Sequence, residues 1–156
     1  MQQFLKKGAK GFTLIEILVV IGIIAILAAV VIIAINPARQ FAQARNSQRQ
    51  SNIESILNAI GQNLADNKGI FGGVCSVSLP TASTSVDTTS GGTGVNLSCL
   101  TPTYLPAGIP TDPAVTSGAA SGYFIKSDSA TGRVLVCAPN SSEVALGTPS
   151  AFCVSR

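Results

Sequence analysis

The pattern of apolar and polar positions divides the chain into three stretches of different character. A short basic leader, residues 1–11, carries Lys6, Lys7 and Lys10 and runs without a break into an apolar block that begins at Phe12. From Ile17 to Ile35 there are nineteen residues with no charge and no strong helix breaker, Gly22 being the one weak point. A helix rising about 1.5 Å per residue covers roughly 36 Å over residues 12–35, enough to cross a hydrocarbon core of about 30 Å. A secretory signal has an apolar region of roughly 7–15 residues followed by a small-residue cleavage site. This run is longer, so it predicts a membrane-spanning helix.

Asn36-Pro37 interrupts that helix, since proline inside a helix removes a hydrogen bond and kinks the axis but is tolerated in a first turn. Gly22 and Pro37 bracket a segment that can bend or partly unwind when the chain leaves lipid. Over residues 38–66, Ile53, Ile56, Leu57, Ile60 and Leu64 recur at helical spacing, with Gln, Asn, Ser and Arg elsewhere. This predicts the outer half of one long helix, its stripe set against a globular head. Gly61 weakens it, and Asp66-Asn67-Lys68-Gly69 ends it. Beyond Gly69 the chain is rich in Gly, Ser, Thr and Pro. Strands are predicted at residues 73–79, 95–100, 122–127, 133–138 and 151–154, with a β-hairpin turning at residues 128–132. Residues 81–94 read as a low-complexity surface loop with little to bury. A head of about ninety residues is small for a self-sufficient core and has to use the helix stripe.

Charge alters this picture at one position. Glu16 lies just inside the apolar block, and an ionised carboxylate in lipid is costly unless it has a partner, a function or access to interfacial water. Orientation is not set by lysine and arginine alone: Lys6, Lys7 and Lys10 precede the block, while Arg39, Arg45 and Arg49 follow it. The whole chain has 10 Lys+Arg and 7 Asp+Glu, but loss of residues 1–11 removes three lysines and leaves seven against seven. The basic character therefore belongs to the leader and gives no reason to expect a nucleic-acid partner. Arg39, Arg45 and Arg49 read as a solvated or inter-subunit helix face.

Lys10-Gly11-Phe12-Thr13-Leu14-Ile15-Glu16, with its basic leader and following apolar run, resembles the processing site of type IV pilin-like proteins. That family includes type IV pilins and the pseudopilins of type II secretion. The resemblance is strong over residues 1–66 and architectural beyond them. It implies that a prepilin peptidase cuts between Gly11 and Phe12 on the cytoplasmic face and methylates the new amino group of Phe12. The leader then lies inside and the remainder outside, which breaks the charge tie. It also assigns Phe12 and Glu16 to assembly. The carboxylate of one subunit neutralises the terminal amine of a neighbour, and losing either partner strands a charge at a cost on the order of 3–5 kcal/mol.

Cys75, Cys99, Cys137 and Cys153 all fall in the expected outer domain, and an even count in an exported domain fits two disulfides with three possible connectivities. Pairing Cys75 with Cys99 and Cys137 with Cys153 closes a local loop each time, and the second would clasp the C-terminal segment as in many pilins. With no histidine and no short cysteine spacing, zinc finds no ligand set. Nucleophilic catalysis lacks its usual base, and Gly91-Gly92-Thr93-Gly94 lacks the lysine of a phosphate loop. Asp112 and Asp128 are too few for calcium, which takes six to eight oxygens. Asn96-Leu97-Ser98 and Asn140-Ser141-Ser142 match the glycosylation acceptor pattern.

The expectation is thus an α+β pilin fold: a long N-terminal helix, hydrophobic then amphipathic, packed on a small antiparallel sheet. Its segments are a leader at 1–11, a transmembrane and filament-core helix at 12–35, an amphipathic half at 36–68 and a β-rich head at 69–156. The resemblance implies a structural protein with no cofactor and no catalytic residue. It is a single-pass inner-membrane precursor that becomes an extracellular homo-oligomeric helical filament. Its partners are the membrane, prepilin peptidase, and the pilus assembly platform with its ATPases. A type IV pilin is favoured by the four cysteines and the low-complexity loop. A pseudopilin stays open because residues 104–113 resemble pseudopilin G heads, and a minor tip pilin for adhesion or DNA uptake stays open as well.

Overall fold

The computed structural model describes residues 11–73, 75–147 and 151–156. The leader expectation falls on residues 1–10, outside the described residues, with only Gly11 inside them. Two compact units divide between Pro37 and Ala38.

The first unit is built on helix α1, Leu14–Ile35. Leucine, isoleucine, valine and alanine cover every face, and none of its 22 residues is buried. At about 1.5 Å per residue it is roughly 33 Å long, the thickness of a bilayer core. It runs unbroken through Gly22. The interruption is a single residue. Asn36 adopts the left-handed conformation, φ 49° and ψ 84°, and Pro37 opens helix α2, Pro37–Asp66. Proline disfavours helical geometry in the residue before it, and asparagine tolerates the left-handed region, so the two side by side stop one helix and start the next. The helical run thus breaks at Asn36-Pro37, where the sequence places its interruption.

In the second unit α2 lies against a five-stranded sheet. Its strands are β1, Thr84–Asp87; β2, Val95–Asn96; β3, Ala120–Ser127; β4, Val134–Ala138; and β5, Phe152–Ser155. The spatial order is β2-β1-β3-β4-β5. The β1–β3, β3–β4 and β4–β5 pairs are antiparallel, but β1 and β2 run parallel, so the sheet is mixed where an all-antiparallel one was expected. The core joins Ile53, Ile56, Leu57, Ala59 and Ile60 of α2 to Val86, Tyr123, Ile125, Val134, Val136 and Ala138 of the sheet, with Leu97, Leu100 and Leu105 from the loops. Strands β3 and β4 alternate as a half-buried sheet must: Ser121, Tyr123 and Ile125 point in, while Phe124 and Lys126 point out. Helix α2 ends where Lys68 and Gly69 take positive φ and the Gly69 N–H returns to the Leu64 carbonyl at 2.7 Å, a glycine-type C-cap.

Three further expectations are corrected. The supposed surface loop at 81–94 contains β1, an interior strand of the sheet in which Val86 and Asp87 are buried. No strand forms over residues 75–79 of the segment expected at 73–79, and the segment expected at 95–100 is strand only at Val95–Asn96 before turning into a 3₁₀ helix at Ser98–Leu100. Two disulfides are present, Cys75–Cys99 and Cys137–Cys153. The second joins directly paired residues of β4 and β5, tying the C-terminal strand to the sheet.

Candidate processing and assembly site

Gly11, Phe12 and Thr13 precede α1 as exposed, non-helical backbone. Thr13 is the N-cap, with φ −85° and ψ 150°, and its hydroxyl accepts the Glu16 N–H at 3.3 Å. Thr13-Leu14-Ile15-Glu16 has the order of a capping box, with the acid at the third helical position, where a carboxylate is also favoured by the helix dipole. The Glu16 carboxylate makes no hydrogen bond or ion pair with another described residue. One turn away, Phe12 is 78% exposed. The structure thus presents, at the tip of a fully uncovered apolar helix, a Gly11–Phe12 peptide outside the helix, an aromatic side chain and an acid with no partner among the described residues.

The head carries a second polar constellation that the residue pattern did not reveal. Arg49, expected on a solvated face, is buried. Its guanidinium forks onto Asp112, Nε to Oδ2 at 2.7 Å and Nη2 to Oδ1 at 3.2 Å, and its Nη1 donates to Asn46 Oδ1 and Glu143 Oε1. Arg45 donates to both oxygens of the same Glu143, at 2.8 and 2.7 Å. Burial opposes the charge on Arg49, but its bonds to Asp112 and Glu143 outweigh that and its pKa is raised. Arg45, then Arg49, holds the Glu143 carboxyl far below the ordinary value of 4.5, at about 2. Asn52 completes the cluster by donating to the Thr111 carbonyl and the Tyr123 hydroxyl. Extending the α2 stripe backwards by four from Ile53 reaches Arg49. A charge on a core stripe was the available signal for a buried partner.

This cluster also separates the two aspartates considered for calcium. Asp112 is engaged by Arg49 and by the Ala114 N–H, and its own N–H bonds to Ser121 near the start of β3. Asp128 sits past the other end of β3, roughly 20 Å along the strand, where it caps the hairpin by accepting from Ala130 N–H and the Thr131 hydroxyl. They form no common site. Of the two acceptor asparagines, Asn96 is occupied by Ser90 and Ser98, whereas Asn140 is exposed.

A family model described as the prokaryotic N-terminal methylation motif matches residues 6–34, spanning Gly11, Phe12, Glu16 and nearly all of α1. Comparisons with curated proteins and with solved structures gave no match. A methylation motif on an apolar helix long enough to cross a membrane, followed by a small disulfide-bonded sheet domain, indicates a prepilin of the type IV pilin and pseudopilin type.

Proposed function

We propose that the chain is a structural subunit of a type IV pilus-like extracellular filament. Prepilin peptidase cuts the membrane precursor after Gly11 and methylates Phe12, and an assembly platform driven by ATPases draws the subunit out of the bilayer. The observation that carries this reading is the uncovered, all-round apolar surface of α1, with one acid at its start that has no partner among the described residues. A helix apolar on every face is stable only inside a membrane or a protein core. Lipid covers it before assembly, and the same helix of other copies covers it afterwards. In that apolar bundle the Glu16 carboxylate meets the methylated amine of a neighbouring Phe12, an ion pair whose strength rises as the dielectric falls. It fixes the axial register between subunits. The heads, closed by Cys75–Cys99 and Cys137–Cys153, face outward.

The measurement that tests this is the intact mass of protein sheared from cells as filaments. The expected species lacks residues 1–11, gains one methyl group and lacks four hydrogens for two disulfides. Assembled fibres that retain Met1 overturn the processing reading. Abundance separates two of the alternatives: a major pilin dominates the sheared mass, whereas a minor tip pilin is a trace component.

A further inference from the structure

We infer that Thr13 is a positioning residue for cleavage: it stops helix α1 so that the Gly11–Phe12 peptide stays outside the helix and open to the peptidase. The inference rests on the processing reading above. In an uninterrupted helix each N–H bonds to the carbonyl four residues back. Ile15 N–H would then engage the Gly11 carbonyl, and Glu16 N–H the Phe12 carbonyl. The observed bonds are different. Glu16 N–H turns to Thr13 instead, 3.3 Å from its hydroxyl and 3.2 Å from its carbonyl, and the first bond of helical type runs from Ile17 N–H to the Thr13 carbonyl at 3.3 Å. The Thr13 hydroxyl thus takes the place that the Phe12 carbonyl would hold, and the backbone at Thr13 is extended.

This matters for the chemistry of hydrolysis. Water adds to the Gly11 carbonyl carbon, the carbon–nitrogen bond breaks, and the Phe12 nitrogen leaves as an amine carrying a proton from that water. A carbonyl held within a helix is shielded on the path of attack, whereas exposed irregular backbone is where chains are cut. The tendency to continue the helix is strong at this place. Backbone groups in an apolar medium must find partners within their own segment, which favours growth of α1 back over Phe12 and Gly11. A side-chain acceptor at Thr13 satisfies the orphan donor without that growth.

The test is the initial cleavage rate of the full-length precursor by prepilin peptidase in membranes, for the wild type and for Thr13→Ala, Thr13→Ser and Thr13→Gly. Serine keeps the acceptor, and glycine is a good N-cap with no hydroxyl, whereas alanine is a poor cap and the best helix former. Alanine is expected to slow cleavage by about fivefold, the ratio that corresponds to the ~1 kcal/mol of a lost N-cap. Serine and glycine are expected to stay within about twofold of wild type. Alanine cut as fast as wild type overturns the inference. Glycine as slow as alanine also overturns it, because the peptidase then reads the hydroxyl itself. A wild-type chain left uncut at Gly11 overturns the processing reading, and this inference with it.

Discussion

Arg49 donates to Asp112, Glu143 and Asn46 from a buried position on α2, while Glu16 stands at the start of α1 with no described partner. Both are charges on apolar helical surfaces, and their substitution separates a folding role from an assembly role. Arg49→Leu leaves the Asp112 carboxylate, fully buried in the structure, without its cation. Stranding a buried charge costs about 3–5 kcal/mol. The expected result is a head destabilised by that order in chemical denaturation followed by far-ultraviolet circular dichroism; a loss under about 1 kcal/mol would refute the buried pair. Lysine does not rescue Arg49, because one ammonium cannot reproduce the planar fork that engages both carboxylates. Glu16→Ala should do the reverse. It removes no internal contact of a described residue, so the precursor should fold, insert and be cleaved normally, yet give no filaments. Normal filaments from that variant would sink the assembly role.

At the scale of elements, what was legible followed from whether burial leaves a regular apolar trace. α1 is a continuous apolar run, the stripe of α2 and the β3–β4 hairpin repeat apolar residues at the period of their structure, and each stands near its expected place. β1 leaves no such trace. Thr84-Ser85-Val86-Asp87 has one apolar residue in four, and its interior place comes from pairing with β3 on one side and β2 on the other. The glycines after it, which resembled low complexity, are steric requirements. Asp87 is buried and accepts the Gly94 N–H at 2.7 Å. A Cβ on Gly92 would overlap the Asp87 carboxylate, and one on Gly94 would overlap the Ser85 carbonyl and side chain. Gly94→Ala should therefore shift backbone between β1 and β2 and destabilise the head by about 1–3 kcal/mol, the usual range for overpacking. Gly91→Ala is a poor control because Gly91 has positive φ, whereas Gly61→Ala, in open helix, should be neutral or stabilising in the same assay. Equal effects at positions 61 and 94 would contradict this account of the loop. The Arg49 cluster escaped for a related reason: it joins α2 to residues more than sixty positions away, a distance at which local periodicity carries no information.

For the whole molecule, the division at Pro37 separates a helix that needs an external apolar environment from a head that contains its own core. Every residue of that core lies between Ile53 and Val154, and both disulfides fall in the same unit. A fragment of residues 38–156 should therefore fold as a soluble monomer and keep the Arg45–Arg49–Asp112–Glu143 cluster, all of which it contains. Acid is the means of probing that cluster. Glu143 titrates at about 2 in the folded head against 4.5 ordinarily, a lowered value, so its contribution to stability is complete above about pH 4.5 and is lost as pH falls toward 2. At 1.36 kcal/mol per unit the contribution is at most about 3 kcal/mol, and nearer 2 after screening at the partly exposed Arg45. Denaturation midpoints of the fragment measured from pH 7 to pH 2 should hold nearly level to about pH 5 and then fall. In Glu143→Gln, which keeps a hydrogen-bonding oxygen but carries no titrating charge, the midpoint should start lower at pH 7 and fall less across the acid range. If the two curves run parallel down to pH 2, the clasp between α2 and the C-terminal loop does not depend on the Glu143 charge.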